Sequence, residues 1–144
     1  MDQLIHLLRN KKWLRSKARK TLLVDDQAIC SEVGHKDNRN AEIYAQAAAT
    51  CPDGSLFEYA QINKNFAAAR HTDTGNLGRS RVCLLGSFTG GALVFEDGTR
   101  ITETNTWHDI DGHTPHWVEP FHGERYSIVL FNHKYVRGSR KQQN

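Results

Sequence analysis

Cysteine is scarce in this chain. Cys30, Cys51 and Cys83 are the three among 144 residues, and none stands in a CxxC spacing. Neither a disulfide framework nor a cysteine-ligated zinc site is implied, so free thiols are expected. Long apolar runs are missing too. Nothing approaches the roughly 18 apolar residues of a membrane-spanning helix, so no membrane partner is expected. The N-terminus, MDQLIHLLRNKKWLRSKARK, lacks the clean apolar core of a signal peptide. The expectation is a soluble, intracellular protein. Internal repeats and low-complexity tracts are also absent.

What remains is ordinary globular composition, with 24% charged and 38% hydrophobic residues, and the length suits one domain over 1–144. Charge is unevenly spread. Residues 1–20 hold seven Lys/Arg and one acid, Asp2, whereas the other 124 hold 12 basic and 15 acidic residues, a net of −3. The end, KYVRGSRKQQN, is basic without an acid. Basic ends on a slightly acidic body suit either plain solvation or contact with phosphates, making nucleic acid a candidate partner.

Two regimes follow one another along the chain. DQLIHLLRNKKWL carries a rough helical stripe, and NAEIYAQAAAT is alanine-rich and stopped by CPDGS, so two helices are expected before residue 55. Beyond it, glycine-broken segments read as six strands: SLFEYAQINKNF, RSRVCLLGSF, GALVFEDG, TRITETNTWHDI, HWVEPF and RYSIVLFNHKYV. The breaks HTDTGN, TGG, EDGT, DGHTP and HGE read as turns, Gly90–Gly91 and Gly123 among them. The pattern predicts a mostly β domain with flanking helices (α+β), a sandwich or barrel. Its parts are a helical, basic support region at 1–54, a β core at 55–136 and a basic tail at 137–144.

The stretch RHTDTGN at 70–76 holds the chemistry or is a polar turn. On a strand, His71 and Asp73 point to one face. Two histidines and one carboxylate with open positions suit non-haem Fe(II) oxygen chemistry. Candidates for the second histidine are His108, His113, His116, His122 and His133. On the last strand Arg125 and Ser127 share a face, where a guanidinium fork and a hydroxyl offer an anchor for a carboxylate. A dicarboxylate chelating metal at one end and held by arginine at the other fits that layout.

HxD, a histidine some forty residues later, and RxS nine beyond that resemble the Fe(II)/2-oxoglutarate-dependent dioxygenases over about residues 57–135. The resemblance implies a double-stranded β-helix (jelly-roll, cupin-like) core. It implies an oxidoreductase using Fe(II), 2-oxoglutarate and O2, with His71, Asp73 and His116 on the metal and Arg125 and Ser127 on the cosubstrate. His113 competes for the third ligand, but the spacing from His116 to Arg125 suits the pattern better.

Within that superfamily, HTDTGN, RYSIVLFNHK and SFTGGALVF are similar to motifs of the TET/JBP branch, which oxidises 5-methylcytosine or thymine in DNA. The last of these looks like a TGG hairpin. That likeness implies Phe131 stacked on the base, with Asn76 and His133 near its methyl group. The long insertions and cysteine-rich region of TET proteins are missing, so a peptide proline or a free small molecule stands as the alternative substrate, and a non-catalytic metal-binding barrel as the alternative class. Tyr59, Asn63 and Asn65 share a face before His71, and one of them is a candidate for hydrogen-bonding the cosubstrate. Trp107 and Trp117 read as core or rim, and His108 and His122 as surface.

Overall fold

The computed structural model describes residues 1–14 and 30–134. The basic stretch 15–20 and the tail 137–144 lie outside the described residues. Helix α1 (Asp2–Asn10) buries Leu4 and Leu8, one turn apart on a single face, and ends where Lys11 turns extended. Helix α2 (Ala41–Thr50) buries Ile43 and Ala47 and stops at Cys51, whose extended backbone suits the residue before Pro52.

Eight strands form two sheets. The larger has the order β1-β2-β8-β3-β6 and the smaller β5-β4-β7. The larger sheet contains β1 (Cys30–Gly34), β2 (Tyr59–Lys64), β3 (Ser80–Gly90), β6 (Trp107–Ile110) and β8 (Phe121–Phe131). The smaller contains β4 (Leu93–Phe95), β5 (Arg100–Ile101) and β7 (His116–Val118). Every strand pairing is antiparallel. This is a jelly-roll-like α+β core, as the sequence pattern predicts.

Period-two alternation in β8 divides its side chains between two environments. Tyr126, Ile128 and Leu130 enter the cluster under the two helices, with Leu4, Leu8 and Ile43. Arg125, Ser127, Val129 and Phe131 face the opposite way, onto a cavity. Neighbouring β3 splits likewise, Cys83 and Leu85 toward the helices and Val82 and Leu84 toward the small sheet. Because both its faces are covered, β3 reads as the nearly unbroken apolar run VCLL.

The strand boundaries differ from expectation in four places. First, β1 was not expected at all; it joins the edge of the large sheet by pairing with β2. Second, TRITETNTWHDI is two strands in different sheets, parted where Asn105 adopts a left-handed φ of 60°. Third, TGG does not close a hairpin. Gly90 and Gly91, at φ 75° and 71°, carry the chain from the large sheet into the small one. Fourth, HGE is no turn: Glu119 and Pro120 carry the chain from β7 in the small sheet into β8 in the large one, and Gly123 lies inside β8 opposite Phe88. There its φ of 108° and the approach of the Ser87 carbonyl leave no room for a side chain.

Candidate metal centre

His71, Asp73 and His116 come from two segments that the backbone ties together. His71 and His116 exchange both backbone hydrogen bonds, His71 N–H to His116 O at 3.0 Å and His116 N–H to His71 O at 2.9 Å. His71 therefore sits in an isolated bridge and not in a continuous strand, which corrects the expected strand geometry for HxD. The chain then turns away, and the Asp73 N–H bonds the Gly112 carbonyl at 2.8 Å. Gly112 packs so closely that a Cβ there would stand 3.0 Å from Asp73 Oδ2.

The three side chains converge. His71 Nε2 lies 3.6 Å from Asp73 Oδ1, and His116 Nε2 lies 3.3 Å from Asp73 Oδ2. One ligand atom from each falls within 4.8 Å of the others. Both rings are oriented alike: His71 Nδ1 is 2.7 Å from the Ala69 carbonyl and His116 Nδ1 is 2.7 Å from the Thr114 carbonyl. A carbonyl only accepts, so each Nδ1 carries a proton, and the Nε2 atoms, both turned toward Asp73, are the ones placed to meet a metal. Burial alone would lower the His116 pKa, but hydrogen bonds to Asp73 and to the Thr114 carbonyl outweigh it and hold the ring above its ordinary value. Two imidazole nitrogens and one carboxylate, with no thiolate, are a donor set that fits Fe(II) with positions left open.

The same residues open onto a cavity of about 110 Å³. His116 is 5% exposed, while the His71 and Asp73 side chains keep about a third of their surface, so the centre is reached from one side. At the other end stands Arg125, 2% exposed. Its Nε–H donates to the Gly91 carbonyl at 3.0 Å, and the guanidinium lies near the rings of Phe88 and Phe121, 5.6 and 5.9 Å from their centroids. No carboxylate forms an ion pair with it among the described residues, and burial lowers its pKa to about 10. A guanidinium desolvated without a counter-charge is costly unless a ligand supplies one. Ser127 lines the cavity on the same strand face.

Of the remaining sequence candidates, Asn76 and Phe131 line the cavity, and Phe131 packs against Tyr59 with ring centroids 5.5 Å apart. His133 pairs with Asn76 in a bridge and lays its ring against Gly75, but it is not among the residues lining the cavity. His113 does not join the cluster; its Nε2 is 2.8 Å from the Asn76 carbonyl. Asn63 lines the cavity and donates to Ser127, whereas Asn65 uses its amide oxygen to accept the Arg125 backbone N–H at 3.0 Å. Gln61 was not anticipated, and Gly91 and Gly112 were expected only as turn residues. The alternation of β2, which sets Gln61 on the face of Tyr59 and Asn63, was the signal that could have found Gln61.

No family model matches the sequence, and no curated protein matches it. Solved structures do. An oxidoreductase of the 2OG-Fe(II) oxygenase family from Burkholderia pseudomallei superposes with a TM-score of 0.62 at 16% identity, over 90% of this chain and 76% of that one. The fold is the oxygenase fold. A Pseudomonas putida prolyl-4-hydroxylase gives a TM-score of 0.54 at 16% identity, over 92% of this chain and 83% of that one. No helix among the described residues is long and apolar enough to cross a membrane.

Proposed function

We propose that this chain is an Fe(II)/2-oxoglutarate-dependent dioxygenase that hydroxylates a substrate C–H bond. The observation that carries the reading is the pairing, in one cavity, of an open two-histidine, one-carboxylate centre with a buried arginine that has no acidic partner among the described residues. Iron bound by His71, Asp73 and His116 would supply the chemistry that spends one O2 and one 2-oxoglutarate to give succinate, CO2 and the hydroxylated product. The protein's part is positional. Arg125 and Ser127 hold the far carboxylate of 2-oxoglutarate at the closed end. The apolar wall of Val82, Leu84 and Val129 keeps water from the bound cosubstrate. His71 and Asp73, the more exposed ligands, face the side from which substrate arrives.

For the substrate, Phe131 on the cavity wall, backed by Tyr59, offers a flat apolar platform, and the Asn76 amide offers donor and acceptor groups. These favour a planar ring, and the reading is the methyl group of a pyrimidine base, 5-methylcytosine or thymine, presented unpaired. Nucleic-acid contact is assigned to the basic termini. A prolyl-hydroxylase-like reaction is the second reading. It is favoured by the prolyl-4-hydroxylase among the similar structures, and by the pairing of Arg70 with Glu96 and Arg79 with Asp109, which neutralises cations next to the HTDTGN loop.

The deciding experiment is succinate release under Fe(II), 2-oxoglutarate and O2, with single-stranded DNA bearing thymine or 5-methylcytosine set against a proline-containing peptide. Succinate coupled to base oxidation is the expected result, and peptide-coupled turnover would install the second reading. An anaerobic titration with Fe(II) and 2-oxoglutarate that produces no visible charge-transfer band, on folded protein, would overturn the oxygenase reading itself.

A further inference from the structure

A chain of polar side chains crosses three strands of the large sheet and ends at Ser127. Gln61 on β2 donates from Nε2 to Ser31 Oγ on β1 at 2.7 Å. Ser31 Oγ donates to Asn63 Oδ1 at 2.7 Å, and Asn63 Nδ2 donates to Ser127 Oγ on β8 at 3.0 Å. Of these residues, Gln61, Asn63 and Ser127 line the cavity.

The direction of this chain is set at its far end. Gln61 Nε2 also reaches the Glu32 backbone carbonyl at 3.3 Å, and a carbonyl can only accept. That contact requires the amide nitrogen, not the oxygen, to face Ser31. Ser31 therefore accepts from Gln61 and spends its one proton on Asn63 Oδ1. The Asn63 amide is thereby held with its nitrogen on Ser127. No other group bonds Ser127 Oγ among the described residues, so its hydroxyl accepts from Asn63 and keeps its proton for the cavity. Without the relay, the Asn63 amide is free to turn over. Its oxygen would then take the Ser127 proton, and a lone pair would face the cavity beside Arg125.

We propose that Ser31 and Asn63 are positioning residues that preset the Ser127 hydroxyl as a donor to the distal carboxylate of 2-oxoglutarate, with Gln61 and the Glu32 carbonyl fixing the polarity. This rests on the reading of the cavity as a 2-oxoglutarate site. The relay spends no ligand binding energy on turning the hydroxyl, because the sheet has already oriented it.

A double-mutant cycle on binding tests the proposal. The affinity of full-length, Mn(II)-loaded protein for 2-oxoglutarate is measured by calorimetry for wild type, Ser31→Ala, Ser127→Ala and the double variant, with Ser31→Thr as the conservative control. Ser31→Ala is expected to weaken binding about 3- to 10-fold, the worth of one oriented hydrogen bond. In the Ser127→Ala background the same change is expected to have no effect, because its only route to the ligand has been removed. Ser31→Thr is expected to retain wild-type affinity. An equal loss from Ser31→Ala in both backgrounds, or no loss in either, overturns the relay while leaving the cosubstrate site standing. Failure of the wild type to bind 2-oxoglutarate overturns the site reading and the relay with it.

Discussion

His116 Nε2 stands 3.3 Å from Asp73 Oδ2, although the two residues belong to different segments and neither lies in the same strand as the other. Reciprocal backbone bonds between His71 and His116 bring the segments together, and the Asp73–Gly112 bond then sets the carboxylate. Metal affinity should depend on this geometry residue by residue. His116→Ala and Asp73→Ala are expected to lower Mn(II) affinity by on the order of 100-fold or more, read by electron paramagnetic resonance. His113→Ala should leave it unchanged, since that ring serves the Asn76 carbonyl. Loss of metal in His113→Ala together with retention in His116→Ala would reassign the third ligand.

Gly112 offers a subtler probe of the same centre. A Cβ there would stand 3.0 Å from Asp73 Oδ2 and 3.2 Å from Asp73 Cβ, so Gly112→Ala must push the carboxylate aside. The expected outcome is a roughly 10- to 100-fold loss of metal affinity, comparable to removing an orienting partner, with little change in melting temperature. An unchanged affinity would show that Asp73 reaches the metal from more than one position.

Arg125 separates stability from binding. Burial disfavours its charge, which is why its pKa falls to about 10, and no acidic side chain repairs this among the described residues. Arg125→Met should therefore melt no lower than wild type in the absence of ligand, because an apolar side chain of similar length removes a desolvated cation. The same change should weaken 2-oxoglutarate binding by on the order of 100-fold, the consequence of leaving a ligand charge unpaired. Thermal melts with and without 2-oxoglutarate check both halves: ligand should raise the wild-type melting temperature and leave that of the variant unmoved.

Glu32 predicts an acid-side loss of stability. Burial pushes its carboxyl up, but the Leu14 N–H, Lys11 and Asn40 together push harder the other way and hold it below its ordinary value. The folded state therefore binds this proton less readily than the unfolded one. The stabilisation is fully present above the unfolded value of 4.5 and is lost as pH falls through the lower folded value. Denaturant titrations from pH 7 down to 3 should show wild-type stability declining, and Glu32→Gln should be weaker at pH 7 and flatter across that window. Parallel curves for the two proteins would remove Glu32 from the account.

Phe131 tests the platform. Phe131→Ala should raise KM for a planar substrate about 10-fold, from lost stacking of roughly 1–3 kcal/mol, while 2-oxoglutarate affinity stays within twofold. A variant with unchanged KM for every base tested would point the substrate away from Phe131.

The alternation of RYSIVLF was enough to set Arg125, Ser127 and Phe131 on one face, because a strand's side chains have a fixed period of two and an apolar partner set has to lie opposite. The two helices were legible for a similar reason: Leu4 and Leu8, one turn apart, need a face to bury. Residue types and spacing also marked out HxD, the later histidine and RxS as a set.

Only the tertiary structure decided how that set meets. Which histidine joins Asp73 depended on the His71–His116 bridge, a pairing between distant segments that no local pattern encodes. The edge strand β1 escaped notice because CSEVG is too short and mixed to stand out, and its place is set by pairing with β2. The division of TRITETNTWHDI between two sheets hinged on one left-handed asparagine. Ser31 and Gln61 look like ordinary sheet-surface residues in the sequence; the register of β1, β2 and β8 alone places them on the path to Ser127. Periodicity is local and can be read along a chain, whereas register and strand partnership are long-range and exist only once the sheet has formed.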